Sequence, residues 1–91
     1  MKYVYKNPKE VKGDTVSMVE VEVMKETVAA FLLGWNGLEI WLPKSQTVSI
    51  GIDDYGVYIA IISEWIAEQK GIPWDKSTGI AKLTDIDANP F

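Results

Sequence analysis

The chain has 91 residues, 47% of them hydrophobic and 11% aromatic, enough for a single domain with a true core and too much for a disordered polypeptide. Without cysteine it has no disulfides, thiolate metal sites or thiol nucleophiles. All nine basic residues are lysines, so the commonest acid–base side chain near neutral pH and the usual bidentate phosphate clamp are missing too. A net charge of −4 disfavours a duplex-DNA binder yet permits a single-strand binder, because stacking on aromatic rings carries much of that affinity.

Binding is therefore expected rather than catalysis, with no cofactor and no metal. No segment reaches the roughly 18 apolar residues that span a bilayer, and residues 1–14 lack the apolar run of a signal peptide. A cytoplasmic protein without membrane contact is the expectation.

In chain order, Lys2, Lys6, Lys9 and Lys12 make residues 1–14 a basic segment, interleaved with Tyr3 and Tyr5 and closed by Gly13-Asp14. Residues 15–24 alternate, with Val19, Val21 and Val23 on one side and Glu20 and Glu22 on the other, as in a half-buried antiparallel strand. Residues 28–35 and 38–42 read as the next two strands. Asn36-Gly37 between them is a strong signal for a type I′ hairpin.

That turn pairs Trp35 with Leu38, Leu33 with Ile40 and Phe31 with Leu42 on one face. A first hairpin closing through Lys25-Glu26-Thr27 adds Val19, Val21 and Val23 to that face. The other face then holds Glu20, Glu22, Ala30, Leu32, Glu39 and Trp41. Residues 47–52 form a fourth strand, Asp53-Asp54-Tyr55-Gly56 a turn, and residues 57–61 a fifth strand.

The period then changes to that of a helix over 63–70. Ser63 is the N-cap, Glu64 and Lys70 suit the two ends of the dipole, and Gly71 is the stop. Trp65 and Ile66 are its expected anchors on the sheet. A polar tail over 72–91 follows, with one possible strand at 79–84. The expected fold is mainly β: a small, curled, antiparallel five-stranded sheet or barrel, SH3-like or OB-like. One short helix follows the fifth strand, and residues 15–71 form the domain proper.

Several residues are candidates for binding. Trp41, with Lys44 nearby, suits a nucleobase stacked on the ring while the ammonium meets phosphate; it equally suits a core tryptophan. Tyr58 projects opposite Val57, Ile59 and Ile61, either extending that aromatic surface or buried with its hydroxyl satisfied. Lys2, Tyr3, Tyr5 and Lys6 either track a phosphate backbone or form an edge strand whose lysines discourage aggregation. Catalytic pairings have little support: Lys44 and Ser45 are neighbours that point to opposite faces of a strand, and Asp53-Asp54 belongs to a turn.

Two stretches resemble known proteins. Residues 39–46, Glu-Ile-Trp-Leu-Pro-Lys-Ser-Gln, together with residues 64–71, resemble small uncharacterised phage and plasmid proteins over about residues 19–71. That implies a mobile element or virus of bacteria, hence a bacterial or phage-infected host. The final Asp85-Ile86-Asp87-Ala88-Asn89-Pro90-Phe91 resembles the acidic tail tip of bacterial and phage single-stranded DNA-binding proteins, which replication and recombination proteins recognise. The resemblance implies that Pro90 and Phe91 anchor in an apolar pocket and that Asp85 and Asp87 steer. It departs from the family pattern in having only these two acids and in placing Asn89 where an apolar residue is common.

Three functions are thus open. The first is a phage- or plasmid-type single-stranded DNA-binding protein, with bases stacked on a sheet face and the tail recruiting partners. The second is an acidic protein-interaction module, such as an inhibitor of a host defence or replication protein, acting through Glu20, Glu22 and the tail. The third is a structural subunit that forms a homo-oligomer through a leftover apolar face.

Overall fold

The computed structural model describes residues 1–83, so Asp85, Asp87, Pro90 and Phe91 of the tail lie outside the described residues. The strands are β1 Lys2–Lys6, β2 Thr15–Val19, β3 Glu22–Glu26, β4 Ala30–Trp35, β5 Leu38–Pro43, β6 Thr47–Ile52 and β7 Tyr58–Ser63. Helix α1, Glu64–Gln69, follows, and then the short strands β8 Trp74–Asp75 and β9 Ile80–Ala81. The protein is mainly β, with one short helix after the long strands. These nine strands form two sheets rather than one five-stranded sheet, and no closed barrel results: a larger one in the order β1-β6-β7-β2-β9-β8 and a smaller one, β3-β4-β5.

The division begins at Glu20. Its φ of 61° lies in the left-handed region, which breaks the extended run expected over residues 15–24. Before the break, β2 pairs with β7 in the larger sheet; after it, β3 pairs with β4 in the smaller one. Val19 consequently leaves the face expected for it and stands 38% exposed, whereas Val21 is buried and Val23 reaches the core side opposite Leu33. The first hairpin also closes later than expected. Thr27 takes the turn, its amide bonding the Ala30 carbonyl and its hydroxyl accepting from the amides of Ala29 and Ala30, and a bulge between Val23 and Lys25 restores the register.

The second hairpin has the anticipated geometry. Asn36 and Gly37 both take positive φ, 50° and 79°, and the pairs Trp35–Leu38, Leu33–Ile40 and Phe31–Leu42 all form. Their apolar side, with Phe31, Leu33, Trp35 and Leu42, faces Val16, Met18, Ile50, Ala60 and Ile62 of the larger sheet to make the core. Ile66 and Ala67 of α1 and Ile72 close one end. Trp65 is not an anchor: it is 59% exposed, because Ile66 and Ala67 occupy the inward stripe of this short helix. The basic segment supplies the edge strand β1, and Trp74 and Ala81, beyond the helix, also join the core.

Polar links tie the layers together. Ser63 caps α1 by accepting from the Ile66 amide at 3.1 Å, and the same hydroxyl donates to Gln46 Oε1 in the 3₁₀ turn Lys44–Gln46. Further on, Asp75 Oδ1 accepts from the Ser77 hydroxyl at 2.7 Å and the Ser77 amide at 2.8 Å, which shapes the β8–β9 turn.

Replacing Ser63 by alanine removes both of its contacts and is expected to lower the unfolding free energy by about 1–2 kcal/mol. A urea midpoint shifted at unchanged slope reads this loss, and Ser63→Thr is expected to recover most of it. The hydrogen bonds from Ser77, hydroxyl first and amide second, hold the exposed Asp75 carboxyl below its ordinary value of 3.8. A depressed carboxyl stabilises the fold above its unfolded pKa and loses that contribution as pH falls through the folded one, so this turn weakens only below about pH 4. Carboxyl-detected NMR titration of wild type and Ser77→Ala checks the assignment, the variant moving Asp75 back toward 3.8.

Candidate functional site

The outer face of the smaller sheet is built from cross-strand rows. Register places Glu22, Gly34 and Glu39 side by side on β3, β4 and β5, and Lys25, Leu32 and Trp41 in the next row. A carboxylate therefore flanks a glycine on either side, and the two strands that carry them lie about 10 Å apart across β4. Glu20, Met24, Trp35 and Leu38 complete the rim of an open groove of about 330 Å³. Gly34 is its floor. A Cβ there would lie 3.2 Å from Met24 Sδ and 3.7 Å from Glu22 Cβ, so the Met24 side chain lies over the glycine and would have to shift for any side chain at this position.

Trp41 projects from this face opposite the inward Ile40 and Leu42 and is 42% exposed, with Leu32 as its cross-strand neighbour. It is a surface residue, with the carboxylate row on one side of it and Lys25 two strands away in its own row. Lys44 does not complete a nucleic-acid platform with it. The Lys44 ammonium lies 2.6 Å from Glu26 Oε2, 4.9 Å from the Phe31 ring centroid and 5.9 Å from that of Tyr5. Those rings lie on the core side: Tyr5 packs edge-on against Phe31 at 5.1 Å. Tyr58 sits on the larger sheet, half-buried against the core, so Trp41, Lys44 and Tyr58 do not share a surface.

The remaining basic candidates gather elsewhere. On the outer face of the larger sheet, Tyr3, Gly51, Ile59 and Val19 form one row and Lys6, Ser49, Ile61, Ser17 and Ile80 another. There the Lys6 ammonium lies 5.2 Å from the centroid of the exposed Tyr3 ring; Lys2, also exposed on β1, pairs with Ile52 in the row of Tyr58 and so falls on the other face. The tail residues are outside the described residues. Among the described residues, no group of three or more potential metal ligands occurs, and no helix is long and apolar enough to cross a membrane.

Compared with known proteins, the chain matches no family model, no curated protein and no solved structure.

Two members of the groove, Glu39 and Gly34, escaped the sequence reading as site residues. The signal for Gly34 was present: an isolated glycine inside an apolar strand marks a place where something approaches the backbone closely. Glu39 was placed on the correct face but not linked to Glu22, because that link runs through the β3–β4 register and its bulge.

The two roles of Lys44 can be separated. Glu26→Gln breaks only an exposed ion pair and is expected to change stability by less than about 1 kcal/mol. Lys44→Ala also strips a side-chain stem from Phe31 and Tyr5 and is expected to cost about 1–2 kcal/mol. Chemical denaturation of both variants decides between them. Equal losses would assign the effect to the ion pair.

Proposed function

We propose that this domain is a protein-interaction module that takes a basic segment of a partner protein on the outer face of β3, β4 and β5. The row Glu22–Gly34–Glu39 carries this reading: two carboxylates flank a residue with no side chain, and the flexible, exposed Met24 thioether that lies over it can swing aside for a lysine or arginine. Neither carboxylate has a cationic partner among the described residues, where Lys44–Glu26 is the ion pair present. Trp41 in the adjoining row offers its ring to a second cation. Glu20 at the rim adds to the steering field, consistent with a chain whose net charge is −4.

A second reading, single-stranded nucleic acid on the outer face of the larger sheet, is favoured by the Lys6–Tyr3 contact. There Tyr3 would stack on a base and Lys6 would meet phosphate, with Lys2 at the strand end on the other face and the Pro90–Phe91 tail recruiting replication or recombination proteins.

Fluorescence anisotropy with a labelled lysine-rich peptide and a labelled oligo-dT, at about 50 and about 200 mM salt, separates the two. The first reading expects the peptide to bind in a salt-sensitive way, and Glu22→Gln with Glu39→Gln to weaken it by about tenfold or more. Gly34→Ala is expected to fold, since the flexible Met24 thioether can yield, and to weaken binding by narrowing the groove. Peptide binding untouched by all three substitutions, or oligo-dT binding lost with Tyr3→Ala, would reject the first reading in favour of the second.

A further inference from the structure

The two sheets expose four edges, β1 and β8 of the larger and β3 and β5 of the smaller, and three of them are guarded. β1 carries Lys2 and Lys6 and is bulged between Tyr3 and Tyr5. β8 has only two residues. β3 is bulged between Val23 and Lys25 and carries that lysine. Such bulges, lysines and short lengths are how sheet edges are kept from recruiting further strands.

β5 has no bulge and no lysine and is not short; Pro43 guards only its far end. It runs six residues, Leu-Glu-Ile-Trp-Leu-Pro, and pairs with β4 in unbroken register along its whole length. The two-residue turn makes Trp35–Leu38 a hydrogen-bonded pair, so Leu38, Ile40 and Leu42 direct their amides and carbonyls at β4. The Lys44 amide, next in the same series, bonds the Ala29 carbonyl at 2.8 Å. Glu39 and Trp41 therefore point their amides and carbonyls away from the sheet, and among the described residues no loop or turn bonds to them. Pro43 occupies the following outward position, where a strand loses nothing by lacking an N–H.

We infer that β5 is the docking edge for an extended partner segment, added to the smaller sheet as a fourth strand, in which basic residues alternate with apolar ones. This rests on the proposed role of the acidic outer face and specifies its geometry. On an added strand, every second side chain continues the rows of that face, so a residue beside Glu39 extends Glu22–Gly34–Glu39 and is matched by a cation. The next outward position lies beside the Trp41 ring and also suits a cation. The intervening residues fall beside Leu38, which is 48% exposed, and the half-buried Ile40, and are matched by apolar side chains. A second copy paired through the same edge would instead extend the face with further carboxylates.

Amide hydrogen exchange by NMR tests the edge directly, using the full chain and three peptides of equal charge. The first alternates valine and lysine over seven residues, the second has the same composition with the lysines clustered, and the third is the first with every second amide N-methylated. The alternating peptide is expected to protect the amides of Glu39 and Trp41, which exchange fast in the free protein. The other two are expected to bind about tenfold or more weakly and to give no such protection.

Equal binding of all three, without protection at Glu39 and Trp41, would overturn strand addition while leaving the acidic face as the docking site. Binding by none of them would overturn both. Protection that rises with protein concentration in the absence of peptide would replace the basic segment by a second copy of the chain. Glu39→Pro, which removes one outward amide and leaves the β4 ladder intact, is expected to abolish the protection at Trp41.

Discussion

Between Pro43 and Thr47 the chain leaves the smaller sheet and enters the larger one, and the backbone oxygens exposed by that crossing have to find donors inside the protein. Asn7 supplies two of them, donating from Nδ2 to the carbonyls of Lys44 and Thr47 at 3.0 Å each, and the Thr47 hydroxyl donates to Pro43 at 2.9 Å. Gln46 turns back to Ser63, which in turn starts the helix. Because an unpaired buried polar group costs about 1–3 kcal/mol, these contacts fix where β1 ends, where α1 begins and how the sheets face each other. Among the described residues no buried side-chain nitrogen or oxygen lacks a partner. The segment that looked most like a binding motif, Trp-Leu-Pro-Lys-Ser-Gln, is thus in large part a structural junction, with Trp41 and Ser45 left exposed.

The same junction separates the charges. Lys44 is drawn between Glu26 and the rings of Tyr5 and Phe31, which removes the cation nearest to Trp41 from its face. The lysines of β1 lie across the molecule on the larger sheet. What remains around Trp41 is the carboxylate row of the smaller sheet, with Lys25 two strands away in its own row. This sorting, rather than the net charge, is what the proposal of a cationic ligand for this face rests on, since local geometry sets which sign a ligand meets. The open edge of β5 borders that face, so the inferred backbone pairing and the proposed charge matching would act on one ligand at one place.

Local chemistry was legible in the chain. The Asn36-Gly37 turn fixes both positive φ angles and so the register of the β4–β5 hairpin down to each pair. Ser63 as a cap, Gly71 as a stop at φ 69° and the Asp53–Gly56 turn follow from side chains reaching backbone within a few residues. Alternation alone places Glu22, Glu39 and Trp41 on the outward side. The lysine-bearing N-terminus was recognisable as an edge strand for the same reason: such a pattern suits a strand with one open side.

Long-range pairing was not legible. Residues 15–24 alternate without interruption, and nothing within that window says that Glu20 turns left-handed and sends its two halves to different sheets. The fates of Val19, Trp65 and Tyr58 follow from the same kind of competition. Each has an apolar side chain with a suitable period, and which of them is buried depends on which neighbours claim the limited core volume. The turns and the faces of the hairpin were therefore properties of the chain, because they are settled within a few residues. The division into two sheets, the capture of Lys44 and the exposure of the β5 edge belong to the folded molecule, because each is settled by partners distant in the chain.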